Sequence, residues 1–197
     1  MKLSGFKTPL KAARLVIFTA GLVGLLWVPA MADQWSVFDT KYLVIRYQSL
    51  EDLEEFDRRI EFEESAGVSG FFTGSNTGEN TEGDRLKKKL DALFEKVQLI
   101  LDMRKPIKIT VNLYPSAEAL HEAYFQIYKK PGKLRAWYIY EYNTIYMNVA
   151  DLKAGMLAHE CAHAIVDNFL SVRPPRASSE ILARYVDSAL YKEVKTY

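Results

Sequence analysis

Apolar residues recur along this chain at two periods, and the switch between them divides it into elements. Leu53, Phe56 and Ile60 stand three and four apart in a charged stretch, which predicts a helix over 50–64 with one buried stripe. Leu86, Leu90, Leu93, Phe94, Val97, Ile100 and Leu101 keep that spacing, so a longer amphipathic helix follows and ends before Pro106. The period then falls to two. Residues 107–113 alternate strictly, which predicts a strand with one buried and one polar face. Residues 42–47, rich in β-branched and aromatic side chains, read as an earlier strand, with weaker alternation. Residues 137–142 and 144–149 predict two more strands, paired antiparallel around Asn143, a residue that tolerates turn geometry.

Turn and cap signals place the remaining helices. Pro115 and Ser116 start one that runs to about residue 128, where Pro131-Gly132 ends it. Asp151 is the expected cap of a helix over 152–170, stopped by Arg173-Pro174-Pro175. Ser178 or Ser179 is the expected cap of a last helix that runs from Glu180 towards the C-terminus. Residues 66–83 carry five of the ten glycines among Ser, Thr and Asn, so a flexible loop or insertion is expected there. Strands mixed with helices, without an internal repeat, read as an α+β domain.

The first residues are set aside from that domain. Lys2, Lys7, Lys11 and Arg14 precede an apolar run over 15–28 that closes in Pro29-Ala30-Met31-Ala32, the layout of a secretory signal peptide with an Ala-x-Ala cleavage site. The run is shorter than the roughly 20 residues a spanning helix needs, and it contains Gly21 and Gly24. Cleavage after Ala32 is therefore expected, leaving 33–197 as one exported domain, periplasmic or secreted, with no stable membrane insertion. Loss of the four cations lowers the formal charge from +1 to −3, which argues against nucleic-acid binding through charge. A single Cys excludes an internal disulfide. A domain of this size buries roughly 70% of the surface of its unfolded chain and needs none.

The chemistry concentrates in the helix over 152–170. His159-Glu160-Cys161-Ala162-His163 is an HExxH sequence holding two of the three histidines. Residues four apart on a helix differ by about 40° in direction and about 6 Å in height, so both imidazoles leave one face and can grip one ion. Glu160 projects about 100° from His159, beside the ion, where a carboxylate can act as general base in metal-assisted hydrolysis. Cys161 points to the opposite face and reads as a small buried residue. His121 reads as an ordinary helix histidine. A catalytic zinc has three protein ligands and an open position, so one more is needed. Val166 and Phe169 stand where the extended three-His signature requires Gly and His, which excludes that signature. Glu180 follows His163 across the Pro174-Pro175 turn, which can return the next helix antiparallel to the first. Asp187, two turns further on the same face, is the rival ligand or a partner that orients one.

His159-Glu160-x-x-His163, followed by Pro175, Ser179-Glu180, Ala183 and Tyr185, resembles the gluzincin class of zinc metallopeptidases, in a minimal single-domain form. Ala177, Ser178 and Ile181 stand where many of that class carry Trp, Leu and Gly. The resemblance covers roughly the last 60 residues. It implies a zincin-like fold in which a small mixed sheet with an antiparallel edge strand packs on the active-site helix, followed by a helix carrying the glutamate. It further implies one Zn2+ per chain on His159, His163 and Glu180, with Glu160 as general base and acid toward a zinc-activated water. Ala183 would pack near the site; relatives often stabilise the oxyanion with a His or Tyr from a further subdomain, a role open here to Tyr185 or Tyr191, which periodicity equally reads as core. A peptide or protein substrate would lie along the 137–142 strand, with Tyr138, Tyr140 and Tyr142 either lining the cleft or forming a packed sheet face. The expectation is an exported zinc metallopeptidase. The rival is a non-catalytic, zinc-stabilised exported binding or scaffold protein.

Overall fold

The fold is seen in a computed structural model, which describes residues 35–62 and 81–192. The expected signal segment, 1–32, and residues 66–80 of the expected loop lie outside these. The strands are β1 (Ser36–Asp39), β2 (Leu43–Tyr47), β3 (Ile109–Tyr114), β4 (Ala136–Ile139) and β5 (Thr144–Asn148). The helices are α1 (Leu50–Arg59), α2 (Glu82–Leu101), α3 (Ala117–Tyr128), α4 (Ala154–Phe169) and α5 (Arg176–Ala189). They form an α+β fold around one mixed sheet of order β1-β2-β3-β5-β4. The central pairings, β2 with β3 and β3 with β5, are parallel, while β1 and β4 are antiparallel to their neighbours.

Register explains how the sheet supports helices on both faces. Ile45, Val111, Ile145 and Tyr138 lie in one row across four strands. This row faces Leu90, Phe94 and Val97 of α2 and Leu157, Cys161 and Ile165 of α4, which build the main core. Each residue alongside turns to the other face, where Trp137 and Tyr146 stack at 5.0 Å and pack with Leu120 of α3. The alternation in 107–113 predicts a polar second face for β3, yet Asn112 is buried. Parallel neighbours on both sides and α3 above remove that face from water, as is usual for a central parallel strand.

Several boundaries depart from expectation. β1 was not anticipated, because four residues of which three are exposed leave almost no periodic signal. The first helix stops at Arg59 rather than at residue 64, with buried Ile60 outside helical backbone. Thr81, inside the expected loop, caps α2 by accepting from the Asp84 N–H, so the helix opens at Glu82. The strand expected over 137–142 ends at Ile139. Tyr140–Tyr142 form a 3-10 turn that Asn143 closes with φ of 46°, because the chain must reverse there whatever the β-propensity of tyrosine. Asp151 does not cap α4; it lies in a 3-10 turn and is ion-paired with Arg135. Neither Ser178 nor Ser179 caps α5. Pro175, its φ held at −54°, opens the helix one turn earlier and accepts from both serine N–H groups.

Among the described residues no helix is long and apolar enough to cross a membrane.

Candidate metal centre

The site forms between α4 and α5. Ala158 and Ala162 are fully buried, which lets α5 approach with Ala183 and Val186, also fully buried, against α4. The two histidines rise from the α4 face turned to α5, with ring centroids 5.0 Å apart. Nε2 of His159 lies 3.8 Å from Oε1 of Glu180, and Nε2 of His163 lies 3.5 Å from Oε2. One donor atom from each of the three residues falls within 4.8 Å of the others, so the group can hold a metal ion.

Each imidazole is gripped from behind. Nδ1 of His159 lies 2.9 Å from Oδ2 of Asp187. Because a carboxylate only accepts, this bond puts a His159 proton on Nδ1 and turns Nε2 toward Glu180. Asp187 thus lies behind His159, outside the group whose donor atoms converge. Nδ1 of His163 lies 2.8 Å from Oγ of Ser179, a residue that the sequence reading took only as a possible helix cap. Its one sequence signal is its place directly before Glu180, one hundred degrees round the same helix. Burial, helped by the charge of His159, pushes the His163 imidazole down to about 4, so the ring is neutral over the ordinary pH range. Two imidazoles and one carboxylate, with both rings hydrogen-bonded at Nδ1, make a donor set that could hold a metal ion. Arg184 also reaches Oε1 of Glu180, at 3.3 Å, from one turn further along α5.

Glu160 leaves the next face of α4, toward the edge strand. It is 8% exposed. Burial pushes its carboxyl up to about 7, the charges of Glu180 and Asp187 adding to the rise, while His159 and a backbone hydrogen bond from Tyr138 act against it. Glu160 and Asn168 lie on one stripe of α4, two turns apart, and both engage Tyr138 of β4. The Asn168 amide donates to Tyr138 Oη at 3.3 Å, to Asn143 Oδ1 at 3.0 Å and to the Ala164 carbonyl at 2.8 Å. Tyr138 Oη itself donates to Asn143 Oδ1 at 3.0 Å. Beyond β4, Arg173 donates to Asp167 at 3.1 Å and stacks over the Tyr140 ring at 4.9 Å, tying the loop before α5 to the 3-10 turn. β4 thus ends the sheet as expected of an edge strand, bolted along the motif helix.

The remaining assignments divide. Tyr138 does not line a cleft by its ring; the ring packs against the main core and its hydroxyl is bonded. Tyr140 and Tyr142 lie in the 3-10 turn, 42% and 61% exposed, not on a strand. Tyr185 sits about 140° round α5 from Glu180 and is 55% exposed, so the helix turns it away from the cluster. Tyr191 follows α5 and is more exposed still. Cys161 is buried against the sheet, and burial raises its thiol far above the usual range, in keeping with a packing role. His121 lies on α3, outside the metal-binding group.

No family model, curated protein or solved structure matches the chain.

Proposed function

We propose that this protein is an exported zinc metallopeptidase of the gluzincin type, with His159, His163 and Glu180 holding one Zn2+ and Glu160 as general base. The observation that carries the reading is the convergence of two imidazoles and a carboxylate within 4.8 Å, beside a buried acid that is not part of the ligand group. A purely structural metal site has no use for that fourth residue. Zinc in such a site supplies a Lewis acid that polarises a carbonyl and makes a water acidic enough to attack at neutral pH. Glu160 accepts the proton of the attacking water and returns it to the leaving amine. His159 and His163, anchored by Asp187 and Ser179, keep their Nε2 atoms aimed at one point. The outer edge of β4, where Glu160 accepts the Tyr138 N–H, would hold an extended substrate backbone as an added strand.

The test compares the parent with Glu160→Gln, both loaded with zinc, on dye-quenched casein. Equal zinc content with hydrolysis lower by at least about 100-fold in the variant supports the reading. Equal hydrolysis by both overturns the role of Glu160. Zinc bound tightly with no hydrolysis by the parent favours the non-catalytic binding protein instead.

A further inference from the structure

We propose that Ser179 is a positioning residue that holds the proton of His163 on Nδ1, so that Nε2 is free to ligate; the proposal rests on the metal-site reading above. A neutral imidazole carries one proton, and a ring protonated on Nε2 cannot bind metal through that atom. At His159 the Asp187 carboxylate decides the matter, since it accepts only. Among the described residues His163 has no such neighbour at Nδ1. Its Nε2 instead lies 3.5 Å from a Glu180 oxygen, which by itself draws the proton to the wrong nitrogen. The group set against this is the Ser179 hydroxyl, 2.8 Å from Nδ1 and only 6% exposed.

A hydroxyl both donates and accepts, so its direction depends on where its own proton goes. Ser179 lies within α5, and a metal on Nε2 would leave the single ring proton of His163 to Nδ1, which makes the hydroxyl oxygen the acceptor. Oγ, 2.8 Å away, then presents a lone pair to His163 Nδ1–H. The early start of α5 makes this arrangement available. Had Ser179 capped the helix, its oxygen would accept from a backbone N–H and be lost to His163. α5 then carries the third ligand together with the orienting groups of both others, Ser179 for His163 and Asp187 for His159.

The experiment measures zinc affinity by chelator competition at one fixed pH for the parent, Ser179→Ala and Ser179→Thr. It also records the histidine Nδ1–H signals of the zinc-loaded proteins by 15N NMR. Alanine is the best helix former, so the first variant should keep the helix, and thermal melts of the metal-free proteins check this. The expected result is a loss of about 10- to 100-fold in affinity for Ser179→Ala, with most of it restored by Ser179→Thr. The slowly exchanging Nδ1–H of His163 should be visible in the parent and in Ser179→Thr and lost in Ser179→Ala. Tight zinc binding by the parent with unchanged affinity and an unchanged Nδ1–H signal in Ser179→Ala overturns the role of Ser179 alone. Failure of the parent to bind zinc overturns the metal-site reading, and this proposal with it.

Discussion

His159 and Asp187, 28 residues apart in the chain, meet with Nδ1 and Oδ2 separated by 2.9 Å. Their contact reports the direction of two helices. The earlier histidine of α4 meets the later of the two α5 partners, and His163 meets the earlier, Ser179, so the helices run antiparallel across the site.

Asp187→Ala should weaken zinc binding by about 10- to 100-fold, because the His159 ring loses the group that sets its tautomer and orientation. Asp187→Asn should lose less, since the amide oxygen still accepts from Nδ1–H. Chelator competition reads both. The metal-free melting temperature should stay near that of the parent, because the Asp187 side chain is 45% exposed. Equal affinity in all three proteins would remove Asp187 from the site.

Zinc should stabilise the folded chain by mass action. At free zinc a hundred times its dissociation constant the gain is about 2.7 kcal/mol, or roughly 5 to 10 °C in melting temperature for a chain of this length. Glu180→Ala should abolish most of that rise while leaving the metal-free melt nearly unchanged. Calorimetric scans with and without zinc check it, and an equal rise in the variant would mean that the ion sits elsewhere.

Asn168→Ala should destabilise the fold by about 1 to 3 kcal/mol, because Tyr138 Oη and Asn143 Oδ1 lose the donor that joins them to α4. Urea unfolding measures this. A change within a few tenths of a kcal/mol would show that β4 is held to α4 by apolar packing alone.

Asp167 offers a test in pH. Burial raises its carboxyl above the ordinary range, Arg173 opposing and Glu141 adding. A raised folded value means that the folded state binds the proton more readily. This group's contribution to stability therefore grows as pH falls through the folded value toward the unfolded one of about 3.9. At neutral pH its penalty is fully present. Asp167→Asn removes the titration, so the variant should melt above the parent at neutral pH, with the gap closing on acidification. A variant less stable than the parent at neutral pH would show that the Arg173 ion pair outweighs the burial.

The periodicities of the chain determined the α+β class, four of the five strands and the helices of 82–101, 117–128 and 154–169 to within a few residues, because each element buries one stripe and leaves it in the residue order. The HExxH spacing determined that two imidazoles share a helix face with a carboxylate beside them, since helix geometry is local. Asp187 was legible only as a residue near the site, and tertiary structure set it behind His159, outside the converging donor group. The same holds for Ser179, whose release from the cap depended on where Pro175 started α5. The 3-10 turn that took Tyr140 and Tyr142 off the strand was also decided by assembly. Strand propensity and motif likeness describe a residue and its neighbours in sequence. Which side chains meet across α4, α5 and β4 depends on how two helices and an edge strand pack, and that is fixed by contacts between residues 16 to 30 positions apart.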